Sequence, residues 1–247
     1  LRTLLRAFIT SNIVSIRLFF HTKRFLSTMC LIIGIKITIL EIIMGNKYDT
    51  VICDLGNVLI NFDHRIAVRK ILKHTSKAED HIYDLFFDSR LTELYEEGRV
   101  DPSGFFSQVR ETLGMDMDSG AFFMIWNDIF FETPLNKSMH ALLRKIKSSY
   151  KLIMVSNLNV THFEFLKDKM DIFGEFDDLV LSYEVGRRKP APEIYEAALR
   201  AADTSADKAF YIDDRRDLIE AASGLGIKGA VFDGEKAFLN IKKELGG

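Results

Sequence analysis

Three apolar runs in this chain each end on residues that can hold a cation or a phosphate. Val51-Ile52-Cys53 runs into Asp54, Lys151-Leu152-Ile153-Met154-Val155 into Ser156-Asn157, and Ala209-Phe210-Tyr211-Ile212 into Asp213-Asp214. Aspartate is a poor strand residue, and open parallel sheets bind their ligands beyond the carboxyl ends of the strands. Carboxylates from two strands can share Mg²⁺, which takes oxygen ligands and keeps several waters, commonly beside a phosphate. A serine hydroxyl and backbone N–H groups can hold phosphate oxygens. Lys189, in Gly186-Arg187-Arg188-Lys189-Pro190, adds an ammonium that would neutralise phosphate charge and lower the pKa of Asp54. Gly56, two residues after Asp54, permits a sharp turn or a close backbone approach to a ligand. Each piece has a plainer reading. Asp54 could end a strand, Ser156-Asn157 and Asp213-Asp214 could cap the following helices, and Lys189 could sit in a solvated basic loop. Their common placement at or after strand ends favours one shared site.

The elements that would position these groups alternate. Strands at Lys151–Val155, Leu179–Leu181, Ala209–Ile212 and Ala230–Phe232 are separated by helices at His162–Lys169, Pro192–Ala202 and Asp217–Leu225, with a last helix running to Leu245. Such alternation predicts an α/β fold with a doubly wound parallel sheet. No long strand pattern lies between Ile60 and Tyr150. Apolar-periodic stretches at His64–Lys73, Asp80–Phe87, Leu91–Glu97, Ser103–Leu113 and Gly120–Phe131 predict an inserted helical block instead, with Asp63 as an N-cap and Asp101-Pro102-Ser103 as a helix start. The expected division is a core of residues 46–62 and 137–247, interrupted by helices over 63–136. Phe123, Trp126 and Phe130-Phe131 recur at helical spacing and are expected to pack inside that block. Glu97-Gly98-Arg99, between two helices, could reach a ligand.

The chain has 247 residues, of which 47% are hydrophobic, enough for one large domain or a domain with an insertion. A net charge of −2 gives no whole-chain attraction for nucleic acid. Two cysteines, Cys30 and Cys53, make neither a disulfide framework nor a metal knuckle, which suits a reducing, cytoplasmic setting. Residues 1–45 differ from the rest, with six basic side chains (Arg2, Arg6, Arg17, Lys23, Arg24, Lys36) and one acid, Glu41. Leu26 to Met44 is long enough to cross a membrane, although Lys36 inside it would cost about 2.5–3.5 kcal/mol. A basic, acid-poor lead also fits a transit peptide. The favoured expectation is that native protein starts at Met44, just before the first strand, so a membrane partner depends on residues 1–45 being real. No feature fixes an oligomeric state.

Taken together, Asp54, Ser156, Lys189 in "GRRKPAPEIY" and Asp213-Asp214 in "FYIDDRRDLIEAA" resemble the four motifs of the haloacid dehalogenase superfamily, over Tyr48 to the C-terminus. "CDLGNVLINFD", "VSN" and "RKPAPEIY" are similar to the branch containing α-D-glucose-1-phosphate phosphatase and the phosphatase half of epoxide hydrolases. The resemblance implies a helical cap over a Rossmann-like core. It implies a Mg²⁺-dependent phosphatase acting on a small phosphorylated metabolite, with a sugar phosphate as the favoured substrate. Asp54 would attack phosphorus and form an aspartyl-phosphate that water cleaves. Mg²⁺ would be held by Asp54, the Gly56 carbonyl and Asp214, with Asp213 assisting; Ser156, the Asn157 amide and Lys189 would stabilise the phosphoryl oxygens. Two positions depart from the pattern. Gly56 stands where most phosphatases of the superfamily have an acid/base aspartate, and Leu218 stands where many have an asparagine. A positioned acid/base is worth ~10²–10⁴-fold, so its loss should favour acidic leaving groups, such as those of sugar-1-phosphates and acyl phosphates. Asp63 is the nearest carboxylate in sequence, but capping is its expected role. The rival readings are a metal-independent dehalogenase on the same fold and a non-catalytic phosphate-binding protein.

Overall fold

The structure, a computed structural model, describes residues 46–246 apart from residue 88. The expectations about residues 1–45, Cys30 included, lie outside the described residues. Among the described residues no helix is long and apolar enough to cross a membrane.

Among the described residues, seven strands run in chain order as β1 (Thr50–Cys53), β2 (Asn61–Phe62), β3 (Phe130–Phe131), β4 (Lys151–Ser156), β5 (Asp178–Leu181), β6 (Ala209–Asp213) and β7 (Lys228–Val231). Five form one parallel sheet in the order β5-β4-β1-β6-β7. β1 is central, and both neighbours end in the polar residues singled out above. Cys53 pairs with Met154 on one side and Ile212 on the other, so Asp54 emerges level with Val155 and Asp213. The Asp54 N–H donates to the Ile212 carbonyl at 2.9 Å, which fixes that level.

β1 is buried on both faces, as the short continuous apolar run demands. Alternate residues feed two layers. Val51, Cys53, Leu152, Met154 and Ile212 pack against Met139, Leu143 and Ile146 of the helix Pro134–Ile146. Ile52, Ile153, Val155 and Tyr211 pack against Ile194, Tyr195 and Ala198 of Pro192–Ala202 and Leu218 and Ala222 of Arg216–Gly224. The alternation follows from the two-residue period of a strand.

Residues 64–127 form five α-helices with a separate apolar cluster that includes Val68, Ile71, Phe86, Tyr95, Phe105, Phe122 and Trp126. Side-chain caps set four of their starts: Asp63, Ser89, Asp101 and Asp118 each accept from a backbone N–H in the first turn. Two details differ from the sequence reading. The expected helix Gly120–Phe131 ends at Asn127, and Phe130-Phe131 instead pairs antiparallel with Asn61-Phe62, because two short segments meeting at the neck of the insertion can satisfy each other's backbone. Residues 134–136, expected with the covering helices, open the helix that packs on the sheet. Thr133 and Asn136 form a reciprocal capping box there.

Candidate active site

The loop after β1 turns back at once: Leu59 and Ile60 N–H groups both donate to the Leu55 carbonyl, and Asn57 N–H donates to Ile60 at 2.7 Å. Asn57 sits in the left-handed region (φ 55), which asparagine tolerates better than most residues. Two buried side chains of the helix Pro134–Ile146 pin this loop from behind. Asn136 Nδ2 donates to the Val58 carbonyl at 3.0 Å, and His140 Nε2 bonds the Leu59 carbonyl at 2.8 Å. The backbone beside Asp54 is thus held by hydrogen bonds on both sides.

Lys189 Nζ lies 2.7 Å from Asp54 Oδ1 and 2.8 Å from Asp213 Oδ2, with all three residues buried. Asp213 also accepts from Tyr211 Oη and, at 2.9 Å, from the Arg215 N–H. Asp214 is held through its Oδ2 by Asn57 Nδ2 at 2.9 Å. Asn157 clasps the Lys189 backbone twice: Oδ1 accepts its N–H at 2.7 Å and Nδ2 donates to its carbonyl at 3.0 Å. The side chain of Asn157 is therefore committed to placing Lys189, which leaves its backbone N–H as the group that could face a ligand. Ser156, also buried, lines the same cavity. The structure brings Asp54, Gly56, Ser156, Asn157, Lys189 and Asp214 to the wall of one cavity of about 220 Å³, with Asp213 directly behind.

The electrostatics call for a cation. Ligand atoms of Asp54, Asp213 and Asp214 lie within 4.8 Å of one another. Three carboxyl groups thus gather beside the one buried ammonium of Lys189. Burial raises the pKa of Asp54, opposed by Lys189 and reinforced by Asp213. Burial likewise raises Asp214. Burial pulls Lys189 down, but the Asp54 and Asp213 carboxylates outweigh it and hold the ammonium above its ordinary value. A hard divalent cation held by these oxygens would oppose the rise at Asp54 and favour its ionised form. The donor set of oxygens alone fits Mg²⁺.

Gly56 has a reason that the sequence could not show. A Cβ built there would lie 2.9 Å from Cε1 of Phe62. The Phe62 ring occupies the space that a side chain at position 56 would need. Asp63 caps its helix, its Oδ1 accepting from Arg65 N–H, and does not line the cavity. Nor does Glu97-Gly98-Arg99; its neighbour Glu96 does, paired at 2.7 Å with Arg188 beside Lys189. Trp126, Phe130 and Phe123 pack in the insertion as expected, and the first two also face the cavity; Phe131, expected to pack with them, is exposed on the short strand it shares with Phe130. Sequence reasoning missed Asn57, Asn136 and His140; the only signal was a polar residue inside an otherwise apolar stretch.

Polar contacts tie the insertion down over the sheet edge. Tyr95 Oη donates to Thr161 Oγ1 at 2.9 Å, Ser182 Oγ to the Glu96 carbonyl at 2.6 Å, and Arg188 pairs with Glu96 and, at 3.3 Å, with Glu93. His162 adds another. Its Nδ1 meets Asn159 Nδ2 at 3.0 Å and its Nε2 the Trp126 carbonyl at 3.1 Å, so the proton belongs on Nε2.

Residues 48–226 match the model of the haloacid dehalogenase-like hydrolases. The chain belongs to that family. The motif order seen in the sequence is the order in which the strands deliver the site. Among curated relatives, D-ribitol-5-phosphate phosphatase of Bacteroides thetaiotaomicron is 24% identical over 184 residues, 72% of this chain and 88% of the relative. Sesquiterpene phosphatase astK of Aspergillus oryzae is 25% identical over 191 residues, 75% of this chain and 90% of the relative. A crystal structure of a B. thetaiotaomicron enzyme of the haloacid dehalogenase family, in complex with magnesium and inorganic phosphate, superposes with a TM-score of 0.68 at 25% identity, covering 78% of this chain and 98% of that one.

Proposed function

We propose that this hydrolase is a Mg²⁺-dependent phosphatase of small phosphomonoesters that works through an aspartyl-phosphate on Asp54. The observation that carries the reading is the Lys189 ammonium between Asp54 and Asp213, with Asp214 beside them and the ligand oxygens of the three carboxyl groups within 4.8 Å of one another. A phosphoryl-transfer site needs such an arrangement: an ionised oxygen nucleophile, a cation site, and fixed donors for the equatorial oxygens.

Asp54, the Gly56 carbonyl and Asp214 would hold the metal, with Asp213 behind them. Bound there, Mg²⁺ supplies charge neutralisation for the phosphoryl oxygens and keeps the Asp54 carboxylate ionised. An Asp54 oxygen attacks phosphorus, and the bond from phosphorus to the leaving oxygen breaks. Ser156, the Asn157 N–H and Lys189 receive the equatorial oxygens. With a glycine at 56, the leaving oxygen takes its proton from water. Water then attacks phosphorus, the Asp54–phosphorus bond breaks, and phosphate and the free carboxylate return. The insertion keeps bulk water away from this exchange.

The relatives support a phosphatase, and support for a substrate class is split. One relative is named for a polyol phosphate and another for a sesquiterpene substrate. The sugar phosphate expected from sequence rests on the first kind. The retained Asp213-Asp214 pair favours the phosphatase over a dehalogenase, whose attack on carbon needs no metal. Phosphate release with Mg²⁺ and after chelation tests the reading. Activity with Mg²⁺ that chelation abolishes and Asp54→Asn removes is the expected result; no phosphate release from any monoester, or equal rates for Asp54→Asn and wild type, would overturn it.

A further inference from the structure

The cavity is lined by two unlike sets of groups. Charge and hydrogen-bonding groups gather around Asp54. Six apolar side chains, Phe62, Phe86, Phe87, Trp126, Ile129 and Phe130, line it as well. Several of the polar residues that also line it are engaged within the chain. Both ring nitrogens of His162 are bonded, to Asn159 and to the Trp126 carbonyl. The Thr92 hydroxyl donates to the Leu85 carbonyl at 2.9 Å. Glu96 is paired with Arg188. His64 lies stacked on Phe87 with ring centroids 3.5 Å apart, and burial, with the neighbouring His162, lowers its pKa to about 3, so it presents a neutral imidazole.

We propose that the leaving group of the natural substrate is an apolar alcohol carrying one ring-sized hydrocarbon, rather than a sugar or polyol. This rests on the phosphatase reading above and adds the substrate class to it. A polyol placed against these rings would strip water from the hydroxyls that face them and leave those hydroxyls unpaired, and an unmade hydrogen bond costs more than a made one returns. A hydrocarbon ring loses nothing and gains burial against aromatic faces. Size agrees. An apolar cavity of about 150 Å³ accepts a benzene, so a cavity of about 220 Å³ has room for one ring and the phosphoryl group.

The test compares primary alkyl phosphates with similar leaving-group acidity, so that the missing acid at position 56 weighs on all of them alike. Cyclohexylmethyl phosphate and benzyl phosphate stand on one side, ribitol-5-phosphate and glycerol phosphate on the other, each with saturating Mg²⁺. The expected result is a kcat/KM at least tenfold higher for the ring compounds, since a single methylene in an apolar pocket already discriminates by about 10-fold or more. Phe87→Gln should shrink that ratio through the ring compounds' KM, with its melting temperature measured alongside to show that it folds. Equal or faster hydrolysis of the polyol phosphates by the wild type would overturn the inference and leave the phosphatase reading standing. Hydrolysis of neither class would overturn both.

Discussion

Replacing Gly56 by aspartate would restore the acid/base that relatives of this kind carry, and the geometry predicts that the replacement fails by itself. A Cβ at position 56 would sit 2.9 Å from Phe62 Cε1 and 3.7 Å from its Cδ1. Carbon atoms are comfortable at ~3.5–4.0 Å, so the ring must retreat by roughly half an ångström or more. The retreat is resisted, because Phe62 is strand-paired to Phe130, meets that ring edge-on at 6.3 Å and packs on His64 at 4.7 Å. Overpacking of this sort costs about 1–3 kcal/mol. Gly56→Ala and Gly56→Asp should therefore each lose about that much stability in urea unfolding. Gly56→Asp should gain little of the ~10²–10⁴-fold that a placed acid can provide, because its carboxyl is displaced by the ring. Adding Phe62→Ala makes room. The double variant should be more stable than the separate losses predict, by about 0.5–3 kcal/mol of coupling. Its rate gain should be larger for benzyl phosphate than for 4-nitrophenyl phosphate, whose leaving group needs no proton. Wild-type stability for Gly56→Ala, or strictly additive losses in the double variant, would refute the reasoning.

Three further outcomes follow from the site. Mg²⁺ at about 100 times its dissociation constant should stabilise the protein by about 2.7 kcal/mol, a rise of roughly 5–10 °C in melting temperature for a domain of this size; Asp214→Asn should lose most of it. Lys189→Met leaves the buried carboxylates of Asp54 and Asp213 without their ammonium, and should cost about 3–5 kcal/mol in metal-free unfolding, with part recovered when Mg²⁺ is added. His162, buried and lowered to about 4 by desolvation, stays neutral in the folded protein while the unfolded chain takes up a proton below about pH 6.5. The unfolded state thus binds more protons in that window, so stability falls with acid from about pH 6.5 to about pH 4, by about 3 kcal/mol. His162→Gln should make that part of the pH–stability curve shallower, leaving the share that His64, lowered to about 3, contributes in the same direction.

Much of this was legible in the chain because strands buried on both faces write themselves as short apolar runs. Asp54, Ser156 and Asp213 interrupt such runs at their ends, and parallel pairing then places them side by side. Lys189 was legible only by type. That its ammonium lies between two carboxylates depends on the Asn157 clasp, a contact across 32 residues that no local pattern reveals. The meaning of Gly56 was hidden for the same reason: a glycine says that a side chain is missing, and only the fold says that the Phe62 ring takes its place. The helix Pro134–Ile146 was obscured by its position after the aromatic stretch of the insertion, although Thr133-Pro134 is an ordinary helix start. Its Asn136 and His140 hold the Asp54 loop, so the missed helix is also the missed support of the site.

The central claim is that Asp54 itself receives the phosphoryl group. Acid quenching within the first turnover, followed by peptide mass spectrometry after borohydride trapping, tests it on the wild-type protein with Mg²⁺ and benzyl phosphate. The account predicts a modification confined to the peptide holding Asp54 that is absent from Asp54→Asn. Phosphate release at full rate with Asp54 unmodified throughout would contradict it.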